Sequence, residues 1–244
     1  NSISLRKKIT DLLYHDSIIY IAFEDAPYSN STPVAGLGMK WNPYTKQRIS
    51  PSFPSIRTHA RTSRNNLTLY KDTVYLSGQF VDTRLGCNYW RSGPVHEYNR
   101  FLNRYGFNAD ENESFQGKLY LGGNNIFDSL NIAYGKLAYW NGNSLFQVSD
   151  PKISTFASIS NLTHINNYLF MRSTSYDSNS TSTQIVYTDG SSWFLVTDSL
   201  VLDTTLVKLN LNIIGYNDRI YLYGDELRLG DSTLFPKLGV LTET

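Results

Sequence analysis

A short pattern recurs five times along this 244-residue chain, at intervals of about fifty residues. Each copy reads aromatic or His, any residue, then Asp, Asn or Gly, any residue, and an apolar pair. The copies are YHDSII (14–19), YKDTVY (70–75), FQGKLY (115–120), HINNYL (164–169) and YNDRIY (216–221). Asn, Asp and Gly tolerate the positive φ angles of tight hairpin turns. The flanking runs are rich in Val, Ile, Leu and Tyr, which suit a pleated, half-buried surface. Each copy therefore predicts a β-hairpin.

A second hairpin follows most copies. AYWNGNSLFQV (138–148) and VYTDGSSWFLV (186–196) align without a gap, each turning through Asn-Gly or Asp-Gly. KWNPYT (40–45), YWRSG (89–93) and LGDSTLF (229–235) are weaker versions. Two hairpins make a four-stranded antiparallel unit, which cannot bury both faces alone. Packing such units face to face around an axis solves this, so the expectation is an all-β, five-bladed β-propeller in a single domain, residues 1–244. Residues 94–114 read as an insert between the second and third blades. The short last blade leads us to expect ring closure by a strand from residues 2–5 or 238–241. Helical periodicity is confined to the start, where Leu5, Ile9, Leu12 and Leu13 share one face, and to a turn or two at 99–105. The expected blade centres are Ile18, Tyr20, Val74, Leu76, Leu119, Leu121, Leu137, Tyr139, Leu169, Ile185, Trp193, Ile220 and Leu222.

Composition narrows the function classes. No run of about 18 apolar residues is present, so the sequence offers no membrane-spanning helix. Cys87 is the single cysteine, which excludes an internal disulfide framework and a thiolate metal cluster. No GxSxG, phosphate-cradling Gly loop or HExxH occurs, so neither metal nor cofactor is expected. The chain opens on Asn1 without a signal-peptide pattern, which reads as a processed form or a fragment. Sequons at Asn30, Asn66, Asn112, Asn161 and Asn179 barely exceed the about four that chance gives in so Asn/Ser/Thr-rich a chain. That polar, Tyr-rich composition leans towards an extracellular, cell-surface or virion setting.

Net charge is +1, unevenly placed. Residues 46–104 carry ten basic and three acidic side chains, whereas 105–244 carry eight and fourteen. Arg57, Arg61, Arg64 and Arg84 form a basic patch that suits an acidic partner. It also fits an ordinary solvated surface. No helix-based or RNP-type reader is visible, so nucleic acid is not an expected partner.

The unit ESFQGKLYLGGNN…IAYGKLAYWNGNSLFQV (113–148) resembles a kelch-type, galactose-oxidase-like propeller blade, and FPSIRTHARTS (53–63) is similar to the linker that opens one. The double glycine is complete only at Gly122-Gly123. The resemblance implies a propeller that serves as a binding platform. Copper-radical chemistry of the galactose-oxidase kind needs two His ligands, and the four histidines here are scattered. In the kelch register, the loops after the second strands share one face. They hold Asp25 and Tyr28; Phe80 and Asp82; Phe127 and Asp128; Tyr176 and Asp177; and Asp225 with Glu226.

An aromatic ring beside a carboxylate suits a sugar, the ring stacking on its apolar face and the carboxylate accepting from hydroxyls. The same residue types also form turns and cap blade interfaces. The leading expectation is a non-catalytic module that recognises a carbohydrate or other surface ligand, glycan or protein, through these loops. One alternative is a structural adaptor in a virion or cell-surface assembly, docking through Tyr98, Phe101, Tyr105 and Phe107. Another is a glycoside hydrolase drawing two carboxylates from Asp25, Asp82, Asp128 and Glu226.

Overall fold

A computed structural model describes residues 8–24, 38–49, 65–78, 87–91, 98–101, 109–126, 132–177, 180–195, 212–216, 219–223, 227–229, 233–235 and 238–241. These residues are almost entirely strand. Four units are complete antiparallel meanders of four strands. The first comprises β1 (Lys8–His15), β2 (Ile18–Glu24), β3 (Gly38–Asn42) and β4 (Gln47–Ile49). The second comprises β5 (Asn65–Tyr70), β6 (Thr73–Gly78), β7 (Cys87–Arg91) and β8 (Tyr98–Phe101). The third runs β9 (Ala109–Phe115), β10 (Lys118–Gly123), β11 (Leu137–Trp140) and β12 (Leu145–Gln147). One helical turn, α1 (Pro151–Ser154), leads into the fourth: β13 (Ser158–Ile165), β14 (Tyr168–Asp177), β15 (Ser180–Thr188) and β16 (Trp193–Leu195).

The fifth unit departs from this plan. Strands β17 (Asn212–Tyr216) and β18 (Arg219–Tyr223) pair as elsewhere. The hairpin of β19 (Leu227–Leu229) and β20 (Thr233–Phe235) forms a separate two-stranded sheet. The third position beside β18 is taken instead by β21 (Leu238–Leu241). Of the two segments expected to complete the last sheet, 238–241 is thus recruited, while residues 2–5 lie outside the described residues.

Four local expectations need correction. Leu12 and Leu13 belong to strand β1, because pairing with β2 fixes the backbone before helical periodicity can act. Residues 98–101 are likewise a strand, β8. The supposed insert 94–114 therefore contains the last strand of the second sheet and most of the first strand of the third. The repeat also slips by one residue in two copies. Its turns are Asp16-Ser17, Lys71-Asp72, Gln116-Gly117 and Asn166-Asn167, so His15 and Ile165, not Tyr14 and His164, match Tyr70 and Phe115. Positive φ at both central residues of the first three turns gives the twist that suits antiparallel pairs.

Register explains how the sheets stack. Tyr20, Tyr75, Tyr120, Phe170 and Tyr221 occupy one equivalent position on the second strands, and define an aromatic face. Val74, Leu119 and Leu169, then Leu76, Leu121 and Met171, alternate with them on the opposite, aliphatic face, and all six are 0% exposed. The aromatic face of each of the first three sheets packs on the aliphatic face of the next. Tyr20 joins Val74 and Leu76, Tyr75 joins Leu119 and Leu121, and Tyr120 joins Leu169 and Met171. Of the expected centres, Leu137 and Ile185 are buried too, whereas Ile18, Tyr139 and Trp193 are half-buried. The first strands pack side by side in chain order, β1 on β5, β5 on β9, β9 on β13 and β13 on β17.

Candidate functional site

That succession of first strands concentrates polar chemistry where the sheets meet. Asp11 on β1 accepts a hydrogen bond from Leu67 N of β5 at 2.7 Å through Oδ2, and from Leu12 N at 2.8 Å through Oδ1. On β5, the Thr68 hydroxyl lies 3.0 Å from the Asn112 carbonyl oxygen of β9. On β9, Glu113 Oε1 lies 2.9 Å from His164 Nδ1 of β13. Among the described residues, each junction between the first four sheets therefore carries a polar bridge between its first strands. A second tier joins the turns. Tyr70 Oη donates to Gly117 O at 2.9 Å, Lys71 Nζ to Asn141 O at 2.8 Å, and Gln116 Nε2 to Asp189 O at 2.7 Å. The acceptors Asn141 and Asp189 come from the Asn-Gly and Asp-Gly turns that the sequence marks.

Electrostatics distinguish two of these groups. Burial pushes the Asp11 carboxyl above its ordinary 3.8; the two N–H donations pull against this, and the Glu113 charge adds to it. His164 is raised above 6.5, chiefly by its bond to Glu113, with burial opposing. A raised imidazole means that the folded chain holds the proton more tightly. Its stabilisation is complete below 6.5 and is lost as pH rises through the higher folded-state value. Replacing Glu113 by Gln is expected to bring the His164 midpoint, followed by its ring-proton NMR shifts, down to 6.5 or below. An unmoved midpoint would contradict the pairing.

Lys40 is a further group that the sequence did not announce. It pairs in register with Tyr20, at the place that Tyr89, Tyr139 and Tyr187 hold in the next three sheets. It is buried, and desolvation lowers its amine. Asn112 and Asn161, two of the sequon residues, are also buried, at 0% and 8% exposure. Neither can carry a glycan in the folded sheet.

The expected ligand residues fare differently. Asp25, Tyr28, Phe80, Asp82, Phe127 and Asp128 lie outside the described residues, as do Asp225, Glu226, Tyr105, Phe107 and the patch Arg57, Arg61, Arg64 and Arg84. Tyr176 and Asp177 are the last two residues of β14, paired with Thr181 and Ser180, so in the fourth unit that position is strand rather than loop. Tyr98 and Phe101 bound the edge strand β8. Among the described residues, no group of three or more His, Cys, Asp or Glu could hold a metal ion, and no helix is long and apolar enough to cross a membrane.

No family model and no curated protein matches the chain. Among solved structures it is similar to a GH32 β-fructofuranosidase of Bombyx mori, with 11% identity and a TM-score of 0.41 over 67% of this chain. The chain spans 40% of the length of that enzyme, and a likeness this slight carries neither fold nor activity across.

Proposed function

We propose that the five units form a five-bladed, kelch-like β-propeller, and that the protein is a non-catalytic carbohydrate-binding module. The observation that carries this reading is the ordered packing of β1, β5, β9, β13 and β17, which sets Asp11 against β5 and pairs Glu113 of β9 with His164 of β13. Carboxylates and an imidazole held by a rigid scaffold are the groups that accept and donate to sugar hydroxyls. In a meander, the connection after a second strand leaves the sheet at the end where the first strand begins. Asp25, Tyr28, Phe80, Asp82, Phe127 and Asp128 follow second strands in the sequence, and the proposed module recognises its ligand through them.

A second reading, a glycoside hydrolase, draws on one observation. Burial holds the Asp11 carboxyl above its ordinary range, and a carboxyl that keeps its proton is what the acid of glycosidic cleavage needs. A glycan array on the wild type, beside Phe127→Ala/Tyr176→Ala and Glu113→Gln, tests both. The expected outcome is binding that both variants weaken by at least about tenfold, a loss of roughly 1.4 kcal/mol, with no turnover of chromogenic glycosides. Turnover abolished by Asp11→Asn would favour the hydrolase. Binding unmoved by the variants would remove the site, and no binding at all would turn the reading to an assembly adaptor.

A further inference from the structure

Two exposed phenols meet at one end of the first sheet. Tyr14 precedes His15 at the end of β1, and Tyr44 lies in the turn between β3 and β4. In a four-stranded meander the first and third turns leave the sheet at the same end, so these residues, 30 apart in sequence, become neighbours. Their hydroxyl oxygens lie 3.2 Å apart, and either can donate to the other. The backbone beneath Tyr44 is held by an Asx turn, in which Asn42 Oδ1 accepts from Tyr44 N at 2.9 Å and from Thr45 N at 3.0 Å. Beneath Tyr14 it is held by pairing with Ile19 of β2. The side chains themselves are open, Tyr14 at 60% and Tyr44 at 71% exposure. Tyr44 is held above its ordinary 10.0, first by its hydrogen bond to Tyr14 and then by the Tyr14 charge, with a bond to Ser17 opposing. Its phenol therefore stays protonated at neutral pH.

Three other tyrosine pairs among the described residues lack this combination. Tyr70 and Tyr75 lie 6.0 Å apart between ring centroids, and Tyr120 and Tyr139 5.8 Å, but Tyr70, Tyr75 and Tyr120 are buried. Tyr168 is exposed and meets Tyr187 edge to face at 5.7 Å, so only one of those two rings presents its edge. Joining two phenols through carbon needs an edge from each ring and access for an oxidant. Tyr14 and Tyr44 supply both, because their hydroxyl-bearing edges point at each other in solvent.

We propose that Tyr14 and Tyr44 are a site of oxidative cross-linking, where a dityrosine bridge staples the end of the first hairpin to the turn of the second. A peroxidase-type one-electron oxidant takes one electron from each phenol, and each phenolic proton passes to solvent. The two radicals pair through one Cε of each ring, the carbon beside the hydroxyl. The hydrogens on those carbons move to the oxygens as the rings regain aromaticity. Hydrogen peroxide, the terminal acceptor, takes up the two electrons with two protons and leaves as two waters. Both hydroxyls survive, and the chain loses two hydrogen atoms. Because both side chains are exposed, the rings can turn from hydroxyl contact to carbon contact without moving a strand. The bridge closes a loop through β2 and β3 and so restricts the unfolded chain as a disulfide does. With a single cysteine, these 244 residues can form no internal disulfide of their own. The site depends neither on the five-bladed reading nor on carbohydrate binding.

The test treats the full chain, at low protein concentration, with a peroxidase and hydrogen peroxide. The expected product is a monomer with dityrosine fluorescence whose trypsin digest joins peptide 9–40, through Tyr14, to peptide 41–46, which holds Tyr44. The joined peptide is lighter by two hydrogen atoms than its two parts. Tyr14→Phe and Tyr44→Phe keep the ring and remove the phenol, and each is expected to abolish the joined peptide. An unchanged urea midpoint before treatment shows that either variant is folded. After treatment the wild type is expected to unfold at a higher midpoint, a rise that both variants lose. A joined peptide that survives in either variant would overturn the proposal. So would bridges formed only between copies, a bridge at Tyr168 and Tyr187 in its place, or oxidation of tyrosines without any bridge. The readout is a covalent product, so a glycan array without binding would remove the ligand reading and leave this site standing.

Discussion

Truncating Leu121 to Ala is expected to lower the unfolding free energy by about 2–5 kcal/mol, the range for emptying a packed leucine site. Leu121 is 0% exposed and packs with Tyr70, Tyr75, Ile126 and Ala138 across the junction between the second and third sheets. The Tyr70 and Tyr75 rings among its neighbours are fixed by their own paired strands and cannot collapse into the space left by the lost methyls. The matching control is Phe146→Ala on the outer strand β12. Phe146 is 41% exposed, though its ring stacks on Tyr139 at 5.2 Å between centroids. Its loss is expected to cost about 1 kcal/mol, little more than an aromatic pair contributes. Urea unfolding with an unchanged m-value reads both. Equal losses at the two sites would mean that the strand register is wrong by one residue, since a slip exchanges the faces.

How far the sequence was legible follows from how local each signal is. The Asn-Gly turn at 142 and the Asp-Gly turn at 190 were readable because a glycine with positive φ marks a hairpin on its own, and both hairpins are present. Aliphatic centres such as Leu76 and Leu119 were readable because strand alternation is a two-residue rule. The one-residue slip in the first and fourth copies was not. In YHDSII the residues that turn are Asp16 and Ser17, and in HINNYL an Asn at either of two places satisfies the pattern equally well. Cross-strand pairing, not the motif, decides between them. The β19–β20 hairpin was legible as a hairpin, yet its detachment from the fifth sheet depends on β21, which arrives later in the chain.

The polar bridges were illegible for a stronger reason. Asp11 and Leu67 are 56 residues apart, and Glu113 and His164 are 51 apart. Nothing beside Asp11 or Glu113 in sequence separates them from the solvated carboxylates of this chain. Their partners are supplied only when one sheet is laid on the next. The signal that could have found them is the repeat itself. Once the first strands are aligned on their turns, Asp11, Thr68, Glu113 and His164 all fall within a few residues of the same level. The loop residues Asp25, Tyr28, Phe80, Asp82, Phe127 and Asp128 were chosen by composition at aligned positions, and the described residues end before them.

The same stacking predicts the behaviour of the double glycine. A Cβ built on Gly122 would lie 2.6 Å from Leu162 Cδ1 and 3.2 Å from both Ile159 Cγ2 and the Ile159 carbonyl oxygen. The leucine tip can swing aside, but the carbonyl belongs to β13 and cannot. At the equivalent position the two preceding sheets carry Ala22 and Ser77, both 0% exposed. In the first three sheets the row thus holds small residues where the following sheet closes over it. Gly122→Val is therefore expected to destabilise by about 1–3 kcal/mol through overpacking, against the gain of up to about 1 kcal/mol that a side chain normally brings to a strand glycine. Gly117 supplies the contrast. A Cβ there meets nothing within 4 Å, but its φ is +71°, so the constraint is backbone conformation alone. Gly117→Asn, which tolerates that conformation, is expected to stay within about 0.5 kcal/mol, the range of ordinary surface changes. If Gly122→Val unfolded at the wild-type denaturant midpoint, the third and fourth sheets could not approach as closely as this packing requires.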